Sequence, residues 1–150
     1  MVLAAFSRLI PHPPNFAPIT AIALFSGFYM TNKFLVYALP IVVMILSDLF
    51  IGFSSITFFV YFAFLIVSFI GTQSKKPSFL AILISSISFF IITNFGVWIL
   101  GGYPKTWTGL ATCYTMAIPF FKNSLMGDFF YSGVMILSYS LSRKTILRTV

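Results

Sequence analysis

The feature that most constrains this chain is a set of long, nearly uncharged apolar runs at residues 34–53, 56–72, 78–101 and 125–142. When helical, about 18 or more apolar residues match the hydrocarbon thickness of a bilayer. No water reaches backbone N–H and C=O groups there, so each run must satisfy them internally, as a helix does. A β-barrel would instead alternate apolar and polar residues in segments of about ten, and these runs are continuous. Composition agrees. The chain is 59% hydrophobic and 7% charged, with mean hydropathy +1.03, whereas soluble domains carry about a quarter charged residues. The expected fold is all-α: a polytopic transmembrane bundle forming one integral membrane domain over residues 1–150. It has about six crossings and one short outer-face or re-entrant helix.

Nine Lys and Arg stand against two acidic residues, Asp48 and Asp128, giving a net charge of +7. The basic residues are scattered over loops. That pattern suits membrane topology and attraction to anionic lipid, and it argues against nucleic acid as a partner. Cys113 is the single cysteine, so no internal disulfide is expected. The chain has no glutamate and one histidine, His12. It shows no catalytic Ser-His-Asp order, phosphate-binding glycine loop or metal-ligand spacing. No enzyme activity, cofactor or metal site is therefore expected. Residues 1–10 are apolar with Arg8 near their end and proline-rich sequence after them, which is not the pattern of a cleavable signal peptide.

Charge asymmetry gives a topology. Positive residues in short loops mark the cytoplasmic side, and the strongest clusters are Lys75 with Lys76, and Arg143, Lys144 and Arg148. Both clusters face inward if residues 107–121 do not cross. That stretch is short, about 22 Å as a helix; it carries Thr108, Thr112 and Thr115 and ends at Pro119. It reads as the outer-face or re-entrant helix. Residues 1–10 then supply the first crossing, as a shortened helix or with a start further upstream. Pro40 is expected to kink the run that contains it. Asp48 falls about 22 Å above Lys33, and Asn94 about 27 Å above Lys76. Asp128 opens the last, descending helix, where a first-turn acid is favoured by the macrodipole, with Asn123 or Ser124 as N-cap. His12, Asn15, Lys105 and Lys122 reach the same outer level, so the polar side chains gather in one layer.

Each of these groups has two readings. A carboxylate within hydrocarbon costs about 3 kcal/mol or more and marks a ligand contact or a pairing. Asp48 therefore either meets a ligand or locks helices through Arg8 or Lys105. The loop Pro11-His12-Pro13-Pro14-Asn15-Phe16 is stiffened by three prolines and presents His12 and Asn15 at little ordering cost. Asn94, in Thr93-Asn94-Phe95-Gly96-Val97-Trp98, either bonds a neighbouring helix or anchors a ligand. Trp107 either belongs to an interfacial aromatic belt or stacks on a flat ligand. Ala17 and Ala21 form a small-residue face for a partner helix or for internal packing.

These motifs, together with Ser47-Asp48-Leu49, Tyr103-Pro104-Lys105-Thr106 and the run from Pro119 to Asp128, resemble a family of small, uncharacterised bacterial inner-membrane proteins. More loosely, the chain resembles the substrate-binding S components of energy-coupling factor vitamin transporters. That resemblance implies a compact six-helix protein that binds a vitamin near the outer face. It also implies a transmembrane coupling protein with ATPases as partner, met through small residues such as Ala17 and Ala21.

The expected function is membrane transport, as a substrate-capture or permease subunit for a small, vitamin-like metabolite. Its outward pocket would be formed by His12, Asn15, Asp48, Asn94, Lys105, Trp107, Lys122 and Asp128. The lipid bilayer and a small-molecule ligand are the expected partners. The expected location is the bacterial inner membrane, multi-pass, with the C-terminus cytoplasmic. The competing reading is a structural or assembly protein whose polar layer is wholly self-satisfied. A cavity of several hundred Å³ lined by Asp48, Asn94 and Trp107 would favour capture.

Overall fold

The computed structural model describes residues 16–74 and 77–148, with only the backbone described over 143–148. These residues form five helices and no strand: α1 (Ile19–Tyr29), α2 (Lys33–Ile51), α3 (Thr57–Gln73), α4 (Phe79–Leu100) and α5 (Trp107–Arg148). Two of them, α2 and α4, are long and apolar enough to cross a membrane, with mean hydropathies of 2.4 and 2.1. About six crossings were expected. At 11 and 17 residues, α1 and α3 are apolar but shorter than that length, and the expected first crossing at 1–10 lies outside the described residues.

Local sequence sets the helix ends. Asn32 caps α2, its Oδ1 accepting from the amides of Phe34 at 3.0 Å and Leu35 at 3.3 Å, as an N-cap side chain should. Helix α2 continues through Pro40 and stops at Gly52, whose φ of 98° suits a residue without Cβ. Ser78 caps α4, accepting from the Ala81 amide at 3.2 Å. At the far end of α4 the Lys105 ammonium donates to the carbonyls of Trp98, Gly101 and Tyr103. A cation there satisfies carbonyls that the helix leaves open and complements its dipole.

The largest departure from expectation is α5. Residues 107–121 and 125–142 were expected as two helices, the first re-entrant, with Asp128 in the first turn of the second. They form one helix of 42 residues, about 63 Å long, which runs on through Pro119. A proline removes one backbone bond, whereas breaking the helix in apolar surroundings would strand several backbone groups. The smaller loss wins. Asn123 and Ser124 therefore sit in mid-helix and cap nothing, and Asp128 lies 21 residues beyond Trp107.

Contacts fix the helix directions. Phe59 meets Phe95 and Phe64 meets Phe89, so α3 and α4 are antiparallel. Cys113 meets Asn94 and Phe129 stacks on Phe79, so α4 and α5 are antiparallel. Phe16 packs on Tyr131, and Tyr29 on Tyr139 at 4.0 Å, so α1 runs parallel to α5. The last contact brings the C-terminal part of α5 to the end of the bundle where α2 begins at Lys33. Short α1 is central and packs against all four other helices. At its crossing with α3, a Cβ on Gly27 would lie 2.6 Å from the Ser68 carbonyl, and one on Gly71 2.6 Å from that of Leu24. Only glycine admits this backbone approach.

The interior mixes apolar and polar side chains, and large apolar side chains also cover the outside. Ser26, Ser47, Ser68, Ser85, Ser86, Asp48 and Asp128 are buried beside the apolar cluster of Ile19, Leu24, Val43, Phe64 and Val67. Phe34, Phe50, Phe58 and Phe79 are each more than two-thirds exposed.

Candidate functional site

A cavity of about 480 Å³ lies among α1, α2, α3, α4 and α5. Its walls are aromatic on the α3, α4 and α5 sides, from Phe64, Phe89, Phe90, Phe120 and Phe121. Polar groups are interspersed: Asp48 on α2, Thr93 and Asn94 on α4, Ser124 on α5, and Ser54 and Thr57 at the α2–α3 turn. Ala17, Ile19 and Thr20, at the start of α1, line it from that helix.

Asp48 is 5% exposed. Its Oδ2 accepts from the Tyr61 hydroxyl at 2.9 Å, and further interactions hold both residues. The carboxylate is thus a fixed, hydrogen-bonded group on the cavity wall. Beside it in sequence, Ser47 is fully buried and donates to the carbonyls of Val43 or Met44. Asn94 lines the cavity, yet its amide nitrogen donates to the Phe90 carbonyl of its own helix at 2.8 Å. The amide bond to a neighbouring helix considered above is not formed by that nitrogen. Thr93 Oγ1 likewise bonds Phe89 O at 2.8 Å. Gly96 lies directly against the Phe59 ring.

The structure gathers some of the expected residues and separates others. Asp48 and Asn94 share the cavity. Lys105 and Trp107 line a different, smaller cleft of about 260 Å³ with Trp98, Thr106 and Leu110. Lys105 is occupied at the α4 terminus and lies 5.8 Å from the Trp98 ring centroid, so it is not the partner considered for Asp48. Trp107 is 86% exposed, and Lys122 lies on the exposed face of α5. Asp128 lies one turn beyond Ser124. Its Oδ2 is 2.6 Å from Ser86 Oγ, and the Thr20 side chain approaches the same carboxyl. Ser86 precedes Asn94 by eight residues on α4, so Asp128 lies about 12 Å deeper than Asn94. The expected single layer is two levels. Ala21 is 1% exposed and packs internally, while Ala17 lines the cavity. His12, Asn15 and Arg8 lie outside the described residues.

Several residues around the site, two on the cavity wall and one bonded to Asp48, carried no visible signal in the sequence. Tyr61, Thr20 and Ser124 are ordinary residues of apolar helices, and only a register between helices brings them to the site. Thr93, adjacent to Asn94, was within reach of inference. Among the described residues no three of His, Cys, Asp and Glu gather to hold a metal.

A family model matches residues 1–149. The chain belongs to that family, DUF6580, a family of unknown function. No curated protein and no solved structure shows significant similarity to it. Among the described residues of this family member, the cavity and the deeper Asp128 are the features with chemical capacity.

Proposed function

We propose that this chain is a multi-pass inner-membrane protein that captures a small metabolite in the cavity between Asp48 and Asn94. The cavity carries the reading. About 480 Å³ falls within the range of small-molecule sites, which are mostly apolar with a few placed polar groups. Five phenylalanine rings, Phe64, Phe89, Phe90, Phe120 and Phe121, favour a ligand with a flat or apolar body. Asp48 and Asn94 favour one with a polar edge. A vitamin-like heterocycle has that character. Lys105, Trp107 and Lys122 lie away from this cavity, so the binding anchors in this reading are Asp48 and Asn94, with Thr93 and Ser124 beside them.

Membrane residence is supported by buried hydroxyls inside and phenylalanines outside. In lipid the apolar face turns outward, and polar side chains bond between helices. Orientation follows from the basic residues. Lys33 opens α2 at the end of the bundle toward which the α5 backbone runs over residues 143–148, a stretch that carries three basic residues in the sequence, while Lys105 stands at the other end. The positive-inside tendency then makes the C-terminus cytoplasmic and the cavity outward of mid-membrane. With no nucleotide-binding motif in the sequence, ATP-driven uptake requires a coupling protein with ATPases, as in the S-component arrangement. That part of the proposal rests on analogy of layout.

The test is a metabolite screen on the purified chain, read as thermal stabilisation, with Asp48→Ala and Asn94→Ala as controls. A metabolite that stabilises the wild type and not the variants supports capture. If no metabolite stabilises the wild type, the capture reading is lost and a structural role takes its place. If the variants respond as the wild type does, the site is elsewhere.

A further inference from the structure

Proton accounting around Ser86 leads past ligand capture. A serine hydroxyl has one proton to donate and two lone pairs to accept with. Ser86 Oγ is 3.1 Å from the Ile82 carbonyl oxygen and 2.6 Å from Asp128 Oδ2. A carbonyl only accepts. Ser86 therefore either donates to Asp128 Oδ2 and leaves the Ile82 contact without a proton, or donates to Ile82 and receives the proton of the shorter contact from Asp128.

We propose that Asp128 is a proton-binding site beneath the cavity, occupied in this state and exchanging its proton with the cavity through Thr20. The carboxyl is 3% exposed, and its polar neighbours, Ser86 on α4 and Thr20 on α1, are hydroxyls. No cation offsets it from either helix. Lys122 is exposed on α5, and Lys105 is bound at the α4 terminus. Asp48, bonded to Tyr61, is the acid on the cavity wall, one level above. Arg8 and His12 are outside the described residues.

Ser132, one turn along α5 from Asp128, is a buried hydroxyl with no hydrogen-bond partner, as are Ser85 on α4 and Ser68 on α3. Leaving such a group unpaired costs about 1–3 kcal/mol. When Asp128 ionises, its O–H bond breaks and the proton passes to water in the cavity. The Ser86 hydroxyl then turns to donate to the new carboxylate. The Ile82 carbonyl keeps its own helix bond. The site thus has two hydrogen-bonded states that differ by one proton.

Coupling of this proton to cavity occupancy rests on the capture reading; the proton itself does not. Infrared difference spectroscopy over a pH titration of the full chain, without any metabolite, reads it directly. The sequence has two acidic side chains, so two isosteric variants assign the signal. The expected result is a protonated-carboxyl C=O band at neutral pH in the wild type and in Asp48→Asn, absent in Asp128→Asn and shifted in Ser86→Ala. Should Asp128→Asn fail to fold, persistence of the band in Asp48→Asn still assigns it. No protonated-carboxyl band at neutral pH, or a band lost in Asp48→Asn, overturns the proposal. A band that behaves as expected while the metabolite screen stays empty leaves the proton site standing and removes capture alone.

Discussion

Tyr61 on α3 reaches across the Gly52 turn to donate its hydroxyl to Asp48 on α2, at 2.9 Å. This bond ties the two helices at the wall of the cavity and holds the carboxylate in one orientation. Removing the partner of a buried acceptor costs about 1–3 kcal/mol. Tyr61→Phe keeps the ring and removes the hydroxyl, so it should lower the thermal midpoint in detergent by a corresponding amount. A midpoint equal to that of the wild type would mean that the bond contributes nothing.

Gly71 and Gly133 should behave oppositely. A Cβ at Gly71 meets the Leu24 carbonyl oxygen at 2.6 Å and Gly27 Cα at 3.0 Å, whereas one at Gly133 meets nothing within 4 Å. Both glycines are helical. Gly133→Ala should stabilise by about 0.5–1 kcal/mol, the helix-propensity difference. Gly71→Ala must push α1 and α3 apart and should destabilise by about 1–3 kcal/mol, the usual cost of overpacking. Paired thermal melts decide. Equal shifts for the two variants would contradict the helix crossing described.

Pro119 tests the continuity of α5. An interior proline lacks one hydrogen bond and clashes with the preceding turn, at about 3 kcal/mol. If α5 is one helix, Pro119→Ala restores that bond and raises the melting temperature, with a gain of up to about 3 kcal/mol. If Pro119 ended one helix before another, alanine would remove a stop signal and stability would fall or stay level. Thermal melting followed by circular dichroism separates the outcomes.

Gly52 is open to a different cost. No atom lies within 4 Å of a Cβ built there, but its φ is 98°. Gly52→Ala should therefore destabilise through backbone strain alone, by about 1–3 kcal/mol. Gly102 likewise has free space around its Cβ position and does not carry a positive φ; alanine there should be nearly silent. A silent Gly52→Ala would show that the turn relaxes to an ordinary conformation.

Much of the helical class was legible because it depends on composition alone: long uncharged runs fix backbone hydrogen bonding wherever the chain sits. Helix starts at Asn32 and Ser78 follow from residues whose side chains accept amide protons locally. The site was half legible. Asp48 and Asn94 stand out because polar groups in apolar helices need a reason, and both line the cavity. Pro119 misled because a proline has two local meanings, a stop or a tolerated defect, and the surrounding medium decides between them. That error put Asp128 in a first turn and in the same layer as Asp48. Tyr61, Ser86 and Thr20 were hidden because their roles come from inter-helix register, which one sequence does not encode visibly.

The half-length of α1 has a consequence for what the bundle can hold. Four longer helices surround a central one that begins only at Ile19, and its first residues form one side of the empty space. Among the described residues, Ala17, Ile19 and Thr20 close the space on that side. Ala17 and Thr20 are small, so a larger side chain at either position would narrow the room available without disturbing the outer walls.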